Sequence, residues 1–186
     1  MRRALYWATC VVAVAIVGAS CGHRVRYPVE ESEEVYTLTN LHPDEGRGRL
    51  YSVNYQQDGL IKVCSPVRIE EVSAKRMTFT VLSTGRRYEY IFHRMEREPV
   101  EQHIGRYFGP RCPTETLQGL DAADVAGVQQ GHVYQGMTRQ GVILAVGYPP
   151  ARTTPTLDSD VWRYWTSRFN SLEVYFQNGR VVGIRN

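Results

Sequence analysis

The chain has 186 residues, of which 42% are hydrophobic, 22% charged and 11% aromatic. That balance excludes collagen-like, low-complexity and wholly disordered classes. The formal charge is +3; taking away Arg2 and Arg3 with an N-terminal leader leaves +1. A nearly neutral body lacks the concentrated basic face that nucleic-acid binding needs. A single stretch is apolar enough to meet a membrane, so a polytopic membrane protein is excluded. The length allows one core or two domains of about 60–75 residues each.

Met1-Arg2-Arg3 is a short basic head, followed by Ala4 to Ala19 without a charge and then by Ser20 and Cys21. A basic start, an apolar middle and small residues before a cut make a secretory signal over residues 1–20. Sixteen residues at about 1.5 Å each reach roughly 24 Å, short of a hydrocarbon core of about 30 Å. Val17-Gly18-Ala19-Ser20-Cys21 resembles the lipobox of bacterial lipoproteins, although Gly18 stands where that family prefers Leu, Val or Ile. The resemblance implies that Cys21 is diacylated and becomes the new N-terminus. Two or more acyl chains give a stable membrane anchor where one is marginal. Gly22 rather than Asp after the cysteine implies the outer membrane, with the body facing the periplasm.

Cys10 is lost with the leader, which leaves Cys64 and Cys112 in the mature body. In an oxidising compartment the two are free to pair. A bridge would close about 48 residues and contribute about 4 kcal/mol on the chain-entropy account. Two separately buried thiols are the alternative. The five histidines, His23, His42, His93, His103 and His132, share no metal-ligand spacing, so neither a metal nor a cofactor is expected.

Residues 21–34 read as a tether, with Arg24, Arg26 and Pro28 followed by Glu30, Glu31, Glu33 and Glu34. No apolar period runs through them, and such charge runs are solvated linker. Residues 35–94 read as a small all-β domain. Val35–Leu38, Arg49–Tyr55, Leu60–Val72 (broken at Pro66), Met77–Val81 and the Tyr88, Tyr90, Phe92 alternation give about five short strands. Tyr51, Val53 and Tyr55 are expected on one side. A sheet this small must curl to bury a face, and an SH3-like barrel is the expected solution.

Residues 95–124 form a connector. Val100, Ile104 and Tyr107/Phe108 lie at helical spacing, Pro99 suits a first turn, and Gly109-Pro110 is a stop. A loop with Cys112 and Pro113 follows, with a short helical turn over Leu117 to Val125. Val125 to Tyr134 reads as too short and too broken by Gly127 and Gly131 to be a helix.

Residues 125–186 predict a two-layer α/β domain. Thr138 is suited to cap a helix that Gly147-Tyr148-Pro149 ends. Gly141 inside it costs about 1 kcal/mol against Ala. Three β runs follow, Val161–Trp165, Ser171–Gln177 and Arg180–Ile184, the last two joined by Asn178-Gly179, a strong hairpin dipeptide. Trp162 and Tyr164 fall on one face, Arg163 and Trp165 on the other.

Gly136-Met137-Thr138, Gly147-Tyr148-Pro149, Trp162-x-Tyr164, Val174-x-Phe176 and Asn178-Gly179-x-Val181 stand in the order found in the SmpA/OmlA (BamE-like) family of outer-membrane lipoproteins. The C-terminal third resembles that family; the β-rich half is not covered. The resemblance implies a helix over a three-stranded meander, a lipid anchor, and an accessory role in assembling or maintaining the outer membrane.

The sequence carries no phosphate loop, GxSxG or HExxH motif. His103 with Cys112 as base and nucleophile, and Asp158 with Asp160 as an acidic pair, are coincidences of composition. The expectation is an α+β, non-catalytic scaffold, held to the membrane by acyl chains and binding other envelope proteins. A second reading is a module that binds peptide or glycan on the N-terminal barrel, with Tyr51, Tyr55, Tyr88 and Tyr90 exposed together.

Overall fold

The computed structural model describes residues 34–94, 98–167 and 169–186. The leader, Cys21 and the tether through residue 33 lie outside the described residues. β1 (Glu34–Thr37), β2 (Arg49–Tyr51), β3 (Pro66–Val72), β4 (Arg76–Val81), β5 (Arg86–Ile91) and β6 (Phe108–Gly109) form one curled sheet in the order β2-β5-β4-β3-β1-β6. β2 pairs parallel to β5, and the other pairs are antiparallel. Period-two alternation puts Val67, Ile69, Met77, Phe79, Tyr88 and Tyr90 inside, all 5% exposed or less. Each such side chain contributes about 1.5–3 kcal/mol by leaving water.

α1 (Val100–Tyr107) closes this core with Ile104 and Tyr107. Pro99 stands at its N-cap, one place before the first turn where it was expected. Helical spacing predicts Phe108 on the helix face; instead it turns extended at φ −134° and, with Gly109, pairs with Thr37 and Tyr36 of β1. Strand pairing outweighs the helical spacing there, because Phe108 still packs its ring on Phe79, 5.3 Å between centroids.

Two strands are shorter than their sequence pattern. Arg49–Tyr55 leaves the first sheet after Tyr51: the chain turns, Asn54 adopts φ 50°, and Tyr55 forms a parallel bridge with Trp165 of the second half. Ser52 and Val53 are both buried, so the alternation of Tyr51, Val53 and Tyr55 is lost. Leu60–Val72 becomes a strand only from Pro66, after a loop in which Cys64 has φ 65°.

The second half holds α2 (Thr114–Gln118), α3 (Ala122–Gln130), α4 (Arg139–Val146), β7 (Val161–Trp165), β8 (Ser171–Gln177) and β9 (Arg180–Arg185). β7-β8-β9 is an antiparallel meander. Asn178 (φ 51°) and Gly179 (φ 75°) take the two left-handed positions of its tight turn. Trp162 and Tyr164 are fully buried and share a core with α4.

α3 corrects the expectation of a broken segment. It runs through Gly127 and ends at Gly131, whose φ of 68° is a left-handed helix stop. Gly127 survives inside the helix because Met137 fills its missing side chain; a Cβ there would lie 2.3 Å from the Met137 methyl carbon. Gly141 has the same role in α4, where a Cβ would lie 1.9 Å from the Asp124 carboxylate. The two glycines let α3 and α4 pack at close range. Asp121 caps α3 by accepting from the Asp124 amide at 3.0 Å. Buried Asp124 then accepts from the amide and hydroxyl of Thr138, both at 2.8 Å. Thr138 in turn caps α4 by accepting from the Gly141 amide at 3.0 Å.

Candidate functional site

Two sets of contacts join the halves: Tyr55 and Gln56 pair with Trp165 at the end of β7, and a larger set converges on the C-terminal end of α4. A helix leaves its last carbonyls without internal partners. Here they are met by groups of the first half. The Asn40 amide nitrogen of the main chain donates to Leu144 O at 2.8 Å. The Asn40 side chain donates to Ala145 O at 3.1 Å and to Val128 O of α3 at 2.7 Å, and accepts from Val63 N at 2.8 Å. His42 Nε2 lies 3.1 Å from Ala145 O. Asn54 donates to Val146 O and Tyr148 O, each at 2.8 Å, and Gln56 donates to Val146 O at 2.9 Å. Tyr164 donates its hydroxyl to Gly147 O at 2.9 Å from the second half itself. This collar explains the positive φ of Asn54: the left-handed turn aims its amide at the helix end. Asn and Asp tolerate that conformation better than most residues.

Beside the seam lies an open cleft of about 340 Å³. Gln57 and Leu60 of the first half face His132, Val133, Leu172 and Ile184 of the second across it, with His42 at its base. Burial lowers the His42 pKa, with the nearby His132 acting in the same direction and the Ala145 carbonyl opposing both. The imidazole is therefore held towards its neutral form.

On the opposite face of the meander, one row crosses all three strands: Arg163, Glu173 and Arg185. The Glu173 carboxylate is 6% exposed. It accepts from the Tyr175 hydroxyl at 2.6 Å and from Arg163 Nε at 2.8 Å, and pairs with Arg185. The Tyr175 hydrogen bond, followed by the two guanidinium groups, lowers its pKa to about 2.

Cys64 and Cys112 are joined by a disulfide, with Cα atoms 4.9 Å apart, which staples the connector to the loop before β3. Its sulfur so engaged, Cys112 offers no thiolate to His103. His103 instead sits in the first core between the Tyr90 hydroxyl at 2.8 Å and Glu98 at 3.3 Å. Asp158 and Asp160 are both exposed in the loop before β7. The Arg139 guanidinium binds the Asp158 carbonyl and the Asp160 carboxylate while lying over the Phe176 ring, and so pins the loop before β7. Among the described residues no group of three or more His, Cys, Asp or Glu is placed to hold a metal.

The residues on which the family resemblance rests fall in turns, helix caps and the second core. Gly136 (φ 86°) bonds its amide to Val181 O at 2.8 Å, and Met137 is fully buried. Thr138 caps α4 and Gly147 (φ 78°) ends it, with buried Pro149 beyond. Trp162 packs against Phe176 with ring centroids 4.7 Å apart and the planes tilted by 56°. Tyr88 and Tyr90 are buried and Tyr51 and Tyr55 half-buried, so the four tyrosines do not form one exposed shelf. Asn40, His42, Asn54 and Gln56 carry no motif. The only sequence signal for them is polar residues crowded between short β runs.

Compared with family models, curated proteins and solved structures, the chain matches none. Among the described residues no helix is long and apolar enough to cross a membrane.

Proposed function

We propose that the chain is a lipid-anchored cell-envelope protein that binds other envelope proteins as a non-catalytic scaffold, in outer-membrane assembly or maintenance. The observation that carries this reading is the uncharged run from Ala4 to Ala19 leading directly into Ser20 and Cys21. Acylated Cys21 is the mooring, and the twelve residues from Gly22 to Glu33 set the reach of the body. Two features support it. The Cys64–Cys112 disulfide suits an oxidising compartment, since cytosolic thiols are kept reduced. The motif residues shared with the SmpA/OmlA (BamE-like) lipoproteins occupy the caps, turn and aromatic core of the two-layer half. Anchoring raises the local concentration of the body, so weak contacts suffice for binding.

The test is mass spectrometry of the mature N-terminus, with fractionation and co-purification from detergent-solubilised envelope. The expected result is a diacylated Cys21, and for Cys21→Ala a shift to the soluble fraction with loss of membrane-bound partners. A bare thiol at Cys21, or a Cys21→Ala protein that stays membrane-bound with the same partners, refutes the reading.

A further inference from the structure

The cleft beside the seam is bounded by the edge strand of the meander, and that edge is covered over only part of its length. At its start, Gly136 N donates to Val181 O and Val181 N donates to Met137 O, both at 2.8 Å. Val181 therefore turns its main-chain groups away from β8, towards the segment before α4. Past Val181 the ladder is irregular, with Tyr175 opposite Gly183, Val174 opposite Ile184 and Glu173 opposite Arg185. Phe176 N donates to Asp160 O on the β7 side. Alternation along β8 then turns Val174 to β7, and Glu173 and Tyr175 to β9. Ile184, opposite Val174, is left with its N–H and C=O pointing outward from the sheet.

The segment 132–134 separates from β9 at this point, and the gap between Val133 and Ile184 is part of the cleft. Ile184 is 38% exposed. The cleft thus presents one open strand residue, aliphatic walls from Leu60, Val133 and Leu172, and polar groups that include Gln57, His132 and one acidic residue, Asp58. Its volume of about 340 Å³ lies at the small end of ligand sites, which run from roughly 300 Å³ upward.

We propose that this cleft takes a short extended peptide segment of a partner protein, added to the open edge of β9 at Ile184 and continuing the pairing that Gly136 and Met137 begin. The main chain of the segment bonds Ile184, and an aliphatic side chain fills the space between Leu60 and Leu172. The inference rests on the protein-binding reading above and names the site and the chemistry of the partner.

The probes are capped pentapeptides, acetyl-Thr-Xaa-Thr-Xaa-Thr amides with Val, Leu, Lys or Glu at both Xaa, and a copy of the best of them N-methylated at its central residue. They are titrated into the full chain in detergent, disulfide intact, and followed by calorimetry and by amide shifts and exchange. The expected result is saturable binding of the Val or Leu peptide, with the Ile184 amide shifted and its exchange slowed at least tenfold. The N-methylated copy binds at least tenfold more weakly. So does Ile184→Pro, which loses an N–H that the ladder does not use and suits an edge position; Ile184→Val binds like the unaltered chain. Equal binding by the N-methylated copy, equal binding by Ile184→Pro, shifts confined to another surface, or no binding by the whole set at millimolar concentration overturns the proposal. Should Ile184→Pro fail to fold, the N-methylated copy on the unaltered chain decides. The Cys21→Ala co-purification fails or succeeds independently of these titrations, so a failed anchor and a failed cleft are told apart.

Discussion

Replacing Asn40 with Ala tests the idea that the two halves are held together by capping across the seam. The Asn40 side chain makes three hydrogen bonds, to Val128 O, Ala145 O and Val63 N, and is 1% exposed. Ala145 O keeps His42 after the change. Val128 O loses its side-chain partner in a buried setting, and Val63 N in a half-buried one. A net hydrogen bond contributes about 1 kcal/mol, and each buried group left unpaired costs about 1–3 kcal/mol. Two such groups give an expected loss of about 3 kcal/mol. Gln56→Ala is the control, because Val146 O keeps its bond from Asn54; its expected loss is under about 1 kcal/mol. The assay is urea unfolding with the disulfide intact, followed by the emission of Trp162 and Trp165 in β7 and by far-ultraviolet circular dichroism. With a slope of about 2 kcal/mol/M, the Asn40→Ala midpoint falls by about 1.5 M while the slope is unchanged. The reasoning is refuted if Asn40→Ala costs no more than Gln56→Ala, or if the tryptophan and dichroism transitions of the unaltered chain separate.

Gly141→Ala opposes two principles of different sign. Helix propensity favours Ala by about 1 kcal/mol, but the new Cβ lies 1.9 Å from the buried Asp124 carboxylate; a net loss of about 1–3 kcal/mol is expected from overpacking, and a rise in melting temperature would defeat the account. Opening the disulfide by Cys64→Ser with Cys112→Ser releases a loop of 48 residues, at a cost of about 4 kcal/mol on the chain-entropy account; an unchanged urea midpoint would count against the staple. The pKa of Glu173 is lowered from 4.5 to about 2, so its stabilising contribution is whole above about pH 4.5 and is lost as the pH falls towards 2. Stability measured across that window should therefore fall less steeply for Glu173→Gln, and parallel profiles for the two proteins would exclude the Arg163–Glu173–Arg185 row as the cause.

Much of the second half was legible in order along the chain. Asn178-Gly179 codes its turn locally, because two left-handed residues are needed there and few others accept them. Thr138 and Gly147 bound α4 for equally local reasons, and period-two alternation separates Trp162 and Tyr164 from Arg163. α3 was not legible, because Gly127 looks like a breaker until Met137 is known to occupy its side. Phe108 kept its place in the core but changed its backbone, since helical spacing and strand pairing bury the same ring. Arg49–Tyr55 lost its last strand residues to the demand of a helix end some ninety residues away for the Asn54 amide. Turns, caps and alternation depend on neighbours within a few residues, so they are written in the local order of amino acids. The partners of Asn40, His42, Asn54 and Gln56, the approach of Asp124 to Gly141 and the open edge at Ile184 depend on which distant segments meet. Those are settled only when burial brings unpaired carbonyls and amides together and each must find a donor or acceptor.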